Sequence, residues 1–160
     1  MLIETLVSPH FNLSEVEHSE TAARFGYDNT VPTSIMLAIR NTAAGMEKVR
    51  YSLKSYPISV SSWYRALLVN RAIGSKDTSQ HPKGEAVDFT CPAFGTPLFI
   101  CRAIMAQFQY IDFDQLILEH TWVHISWNAI PGAVQKNQVL SLLETGLYSN
   151  GLTDKKGNQL

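Results

Sequence analysis

Between Pro32 and Pro57 the apolar residues recur at helical spacing, and after Pro57 they stop doing so. This change of period constrains the fold more than any other feature. Ile35, Ile39, Ala43, Met46, Val49 and Leu53 make the buried stripe of an amphipathic helix, opened by Pro32 and Ser34 and running to about Lys54. Pro57 ends it, because the residue before a proline is driven out of the helical region. Downstream, Ile58-Ser-Val60-Ser alternates as a strand does, and Ala86 to Phe89 reads as another strand. Gln115 to Glu119 and Val123 to Trp127 are two apolar runs divided by a short polar break, which predicts an antiparallel hairpin.

The remaining segments fit around these. Residues 12 to 26 predict a first helix, with Ser14 and Glu17 at capping-box spacing and Gly26 as its stop. Residues 63 to 75 read as helix and then loop, and 76 to 84 as loop. Pro97 starts a helix to about Gln109 that buries Leu98, Cys101, Ile104, Met105 and Phe108. Val139 to Leu143 adds a last strand or a short helix, and the polar tail from about Asn150 is expected to fray. Helices come first, then strands with one helix between them. The expected fold is α+β, with N-terminal helices packed on a mainly antiparallel sheet. A chain of 160 residues suits one domain over 1–160, and no internal repeat, low-complexity stretch or linker divides it.

Charge excludes some functions. The formal net charge is −1 and no Lys/Arg block occurs, so the electrostatic footprint of a nucleic-acid binder is missing. No stretch is long and apolar enough to insert in a membrane. The first ten residues lack a positive start, and Glu4 breaks their apolar run, so they do not read as a secretory signal. Cys91 and Cys101 lack metal-ligand spacing and are expected to be reduced, partly buried thiols.

Chemistry concentrates in Ser79-Gln-His81-Pro-Lys-Gly84-Glu-Ala86-Val-Asp88-Phe. His81 on the loop offers an imidazole nitrogen and Asp88 on the strand a carboxylate oxygen. Gly84 lets the backbone turn sharply between them. Together they supply two of the three protein ligands that a catalytic zinc site needs. Glu119-His120-Thr121-Trp122-Val123-His124 is the best region for a third. If Val123 to Trp127 is a strand, His124 and Ser126 share one face. On spacing alone, a lone histidine is more often a surface or hydrogen-bonded core residue than a ligand.

The pattern Ser-x-His-x-x-Gly-x-Ala-x-Asp, carried here by Ser79, His81, Gly84, Ala86 and Asp88 and followed by a Trp-x-His strand, resembles a family of zinc peptidases of the bacterial wall. That family includes D-alanyl-D-alanine carboxypeptidases, vancomycin-resistance dipeptidases and phage L-alanyl-D-glutamate endolysins. Val60-Ser-Ser-Trp-Tyr64-Arg65 and Val69-Asn70-Arg-Ala-Ile-Gly74-Ser-Lys are similar to its "SGYRS…LNxAVGGSK" run. His10-Phe-Asn-Leu-Ser14-Glu and Ala22-Ala-Arg-Phe-Gly-Tyr-Asp28-Asn29 look like its phage-associated branch. The resemblance covers roughly residues 10 to 127.

It implies that His81, Asp88 and His124 hold one zinc ion per chain, and that stem peptides of peptidoglycan are hydrolysed by metal-activated water. It also implies a carboxylate base near the last histidine. The best-known spacing places that base at Thr121, which cannot serve, so Glu119 is the candidate and His120 the runner-up. Arg65 matches the family's arginine, expected to steady the developing oxyanion or a substrate carboxylate. Ser79 and Trp122 are candidates for substrate contact. The ordinary uses of these residues are a solvated strand-end carboxylate, a surface ion pair, a loop cap and core packing. Asp112 and Asp114 are weaker candidates for orienting a ligand histidine, and His10 and His18 are expected to be ordinary helix-region residues. The implied setting is an enzyme made in the bacterial cytoplasm without a signal peptide, phage or prophage encoded, with holin-dependent release to the wall. The alternative is a non-catalytic zinc-containing module that binds wall peptides or forms part of a virion.

Overall fold

The structure, a computed structural model, describes residues 5–160. Residues 1–4, including the Glu4 that breaks the leading apolar run, lie outside the described residues.

The chain opens with a small hairpin, β1 (Leu6–Ser8) and β2 (Phe11–Asn12). Helices α1 (Leu13–Glu17) and α2 (Glu20–Phe25) follow where one helix was expected. The cap is also two residues earlier than Ser14. Asn12 accepts from the Glu15 amide and the Glu15 carboxylate accepts from the Asn12 amide, both at 2.9 Å. Glu17 is used elsewhere, accepting from the Val31 amide at 2.8 Å. The break falls at His18, and Ser19 caps the second helix by accepting from Ala22. Gly26 ends it in the left-handed region, as expected.

A short 3-10 turn (Thr33–Ile35) leads into α3 (Met36–Ser52), whose Ile39, Ala43, Met46 and Val49 are fully buried together with Leu53 just beyond. Then come β3 (Ser59–Ser62), α4 (Leu67–Ala72), a 3-10 turn at His81–Lys83 and β4 (Ala86–Thr90). The helix expected from Pro97 stops at Met105 as α5, and a separate turn, α6 (Phe108–Ile111), follows. The break resets the register, so Met105 and Phe108 are exposed while Ile100, Ile104 and Ile111 are buried. Strands β5 (Gln115–Leu118), β6 (Val123–Ser126), β7 (Gln138–Leu142) and β8 (Tyr148–Asn150) complete the chain.

Six strands form one sheet in the order β3-β4-β6-β5-β7-β8. Every neighbouring pair is antiparallel except β5 and β7. The fold is therefore α+β with a mainly antiparallel sheet. The frayed tail is corrected: Leu152 and Thr153 are buried, and Thr153 bridges Gln159. Cys91 and Cys101 are both free and buried.

The alternation along the strands sorts the two faces of the sheet. Val87, Phe89, Val123, Ile125 and Leu116 point to one face, where α5 lies against β5 and β6 and in turn meets α3. That face is the core. Asp88, His124 and Ile117 point to the other face, which no long helix among the described residues covers.

Candidate metal centre

Register builds the site. Asp88 on β4 is paired directly with His124 on β6, and His124 with Ile117 on β5. Two polar side chains thus stand side by side on the uncovered face of the central strands. Ser62 on β3 lies next to Asp88 and Leu140 on β7 next to Ile117, so one row crosses five strands.

His81 reaches this row from the loop before β4. Its position rests on Gly84, which has φ +72° and accepts a hydrogen bond from Thr42 of α3 at 2.9 Å. A Cβ there would come within 2.6 Å of the Ile39 side chain, so glycine lets the loop lie this close to α3 without displacing Ile39. Across the loop, His81 Nδ1 is 2.6 Å from the Trp63 carbonyl oxygen. The Arg65 amide in turn donates to the His81 carbonyl at 3.5 Å. The same stretch is held from behind by Asn29, which donates to the Tyr64 carbonyl and accepts from the Ala66 amide. Asn29 therefore fixes the backbone that presents both Arg65 and the carbonyl beneath His81.

The resulting group is compact. His81, Asp88 and His124 each offer one ligand atom, and these atoms lie within 4.8 Å of one another. His81 Nε2 is 3.3 Å from Asp88 Oδ2, and His124 Nδ1 is 2.8 Å from Asp88 Oδ1. Arg65 Nη2 is 3.6 Å from Asp88 Oδ2.

Electrostatics make the group fit for a cation. Burial pushes the His81 pKa down, with Asp88 acting against it and Arg65 and His124 adding to it. A carbonyl only accepts, so the single proton of the neutral ring sits on Nδ1 against Trp63. Nε2 then carries a lone pair, is buried and has no hydrogen-bond partner. A bare lone pair facing a carboxylate oxygen is unfavourable unless a positive charge lies between them. Burial alone would raise Asp88, yet the charge and hydrogen bonds that His81 and His124 supply when protonated hold it well below the usual carboxylate range. A neutral imidazole and an ionised carboxylate are the forms that bind a metal. Two nitrogens and one oxygen are also the donor set of a catalytic zinc site.

A family model described as peptidase M15 matches residues 9–126. This chain belongs to the peptidase M15 family. The M15 assignment makes it a metallopeptidase, and members of the family are zinc-dependent. No curated protein matches the chain at a significant level.

Within this M15 chain the other candidates divide. Glu119 is buried and lines the same cleft as His81, Asp88 and His124, with Arg65, Ser79 and Trp122. Its amide donates to the Trp122 carbonyl at 3.2 Å, closing the tight turn between β5 and β6. Two residues beyond Ile117, it falls on the His124 face. Burial raises the Glu119 carboxyl, His124 lowers it, Asp88 raises it further and the Tyr148 hydroxyl lowers it. His120 points the other way, is exposed and borders a different hollow near Lys155, outside the metal cleft. Ser79 accepts weakly from the His81 amide at 3.4 Å. Trp127, unlike Trp122, belongs to the core, its indole donating to the Ile111 carbonyl at 3.4 Å.

Neither aspartate considered as an orienting partner touches His81 or His124. Asp114 meets Gln80 and Lys136, and Asp112 meets Asn137. The Trp63 carbonyl takes that role for His81, and backbone partners leave no mark in a sequence. His10 pairs with Glu47 of α3 at 2.8 Å. His18 lies nearer the site than expected, lining a second hollow with Ser62, Arg65, Asp88 and Trp122. Tyr148 also lines the metal cleft, and no motif had singled it out.

Proposed function

We propose that this chain is a zinc peptidase that hydrolyses stem peptides of peptidoglycan, with His81, Asp88 and His124 holding one zinc ion. The observation that carries the reading is the buried His81 Nε2, partnerless and turned toward Asp88, in a cleft that also contains a carboxylate and an arginine. Zinc bound there would supply Lewis acidity and lower the pKa of a bound water to roughly 7.

The protein's own groups do the rest. Glu119 is the proton acceptor and later the donor to the leaving amine; its raised pKa brings it closer to neutral pH, where proton shuttling is most effective. Arg65 is mostly buried and stays charged despite desolvation, because Asp88 supports it and a guanidinium does not deprotonate in proteins. It is placed to stabilise negative charge on the reacting carbonyl or on a substrate carboxylate. Ser79 and Trp122 line the substrate path.

The cleft supports cutting within a peptide. The cleft that contains the metal group and the hollow adjoining it share Arg65, Asp88 and Trp122, so a chain can run from one into the other past the reacting bond. The likeness of the N-terminal half to the phage-associated branch supports an endolysin-like role, with synthesis in the bacterial cytoplasm and holin-dependent release. Among the described residues no helix is long and apolar enough to cross a membrane. A core running from Phe11 to Leu152 supports reading 1–160 as one peptidase domain.

The test is digestion of purified peptidoglycan by the zinc-loaded protein, with new amino termini counted and fragments weighed by mass spectrometry. Fragments cut inside the stem mark an endopeptidase, and free D-alanine marks a carboxypeptidase. Glu119→Gln should keep its zinc and lose at least about 100-fold in turnover. Turnover untouched by that change would reject Glu119 as the base. A zinc-loaded wild type that releases nothing would leave the non-catalytic wall-binding or virion module as the better reading.

A further inference from the structure

The family match stops at residue 126, but the cleft does not. Its far wall is built by β7 and β8, which contribute Leu140, Leu142 and Tyr148. Register shows how this wall meets the site. Leu118 pairs with Ser141, so the next residues along these parallel strands, Glu119 and Leu142, are neighbours. Leu142 pairs with Tyr148. Glu119, Leu142 and Tyr148 therefore form one row across adjoining strand positions, all three facing the cleft. Two strand spacings separate the outer pair, roughly 10 Å between backbones. A glutamate and a tyrosine side chain close such a gap from its two sides, above the leucine between them.

We propose that Tyr148 is a positioning residue, whose hydroxyl donates to the Glu119 carboxylate and holds it in one orientation beside the His81–Asp88–His124 group. This rests on the reading of Glu119 as the base. A carboxylate has two oxygens and rotates freely about its last bond. A donor fixed on one oxygen selects a single rotamer and leaves the other oxygen free to take a proton. The mutual influence of the two groups agrees with this contact. The Tyr148 hydroxyl acts against burial by lowering the carboxyl pKa of Glu119, while burial and then Glu119 raise the phenol. The donor comes from outside the matched segment, so the catalytic turn depends on a strand added to the edge of the sheet.

Tyr148→Phe tests this, since it removes one oxygen and keeps the ring. Steady-state hydrolysis of wall peptide should show kcat about 10- to 100-fold lower with KM and zinc content unchanged, the pattern of a misaimed group rather than a lost binding contact. Unchanged kcat, or a raised KM at unchanged kcat, would overturn the proposal, the latter by making Tyr148 a substrate contact. A crystal structure of the zinc-loaded wild type and of the variant gives an answer that does not depend on activity. The phenol oxygen should lie within hydrogen-bond distance of Glu119 in the wild type, and Glu119 should occupy more than one rotamer in the variant. A phenol bonded elsewhere, or a Glu119 unmoved by the change, would reject it. Failure of the wild type to cut any wall peptide would instead strike the peptidase reading, while the crystallographic comparison would still decide the contact.

Discussion

Cys101 lies at the centre of the core, where burial pushes its thiol up to about 12, and burial raises the Cys91 thiol as well. Burial disfavours the thiolate of both, and the thiolate is the reactive form. A chromogenic disulfide reagent at pH 8 should therefore label no thiol in the folded protein and two after unfolding in guanidinium. Prompt labelling of the native protein would contradict this burial. The sign of the pH effect follows. The unfolded thiol ionises near its ordinary value of 9.0 while the folded one stays protonated to about 12, so Cys101 costs stability progressively as pH rises between those values. At this same scale the three residues of the candidate metal group were legible. His81, Asp88 and His124 stand out because their types and spacing are those of metal ligands. Glu119 was harder to place, since the turn that returns it to the metal face is set by one backbone bond to Trp122. The Trp63 carbonyl and Tyr148 could not be read, one because it is main chain and the other because pairing across β7 brings it in.

Helix α3 and the loop before β4 act as one unit through Gly84. An alanine there would adopt a left-handed backbone, unfavourable for any side chain, and would press on Ile39, whose Cδ1 lies 2.6 Å from the added carbon. Strain and overpacking together should destabilise Gly84→Ala by about 2–4 kcal/mol. Thermal unfolding of the metal-free protein measures this, and an unchanged midpoint would mean that the loop does not lean on α3 as described. Long periodic elements were legible from sequence: α3 buries the predicted stripe, and the β5–β6 hairpin forms where two apolar runs flank a polar break. Short elements were not. The β1–β2 hairpin and β8 hold only two or three residues per strand, too few for a period to show. Asn12 displaced Ser14 as the cap because the two residues are equally suited to the role and Glu15 was free to answer it. The parallel pairing of β7 with β5 is a long-range choice that no local pattern records.

The whole molecule arranges a covered face that carries its stability and an open face that carries the candidate metal group. A metal on the open face would bind only the folded chain, since the three residues that would hold it come from a loop and two strands brought together by folding. Stripping it should therefore lower the midpoint of thermal unfolding. At about 1,000 times its dissociation constant the ion contributes about 4 kcal/mol. In a chain of this size that corresponds to roughly 10 °C, lost on chelation and regained when zinc is returned. A midpoint indifferent to chelator and zinc would show that the group does not bind the ion tightly.

Native mass spectrometry of the zinc-equilibrated, gel-filtered protein, wild type beside His124→Ala, tests the central claim most directly. The account predicts about one zinc per wild-type chain and little or none retained by the variant. A correctly folded wild type that emerges without zinc, or a variant that keeps its full complement, would contradict it.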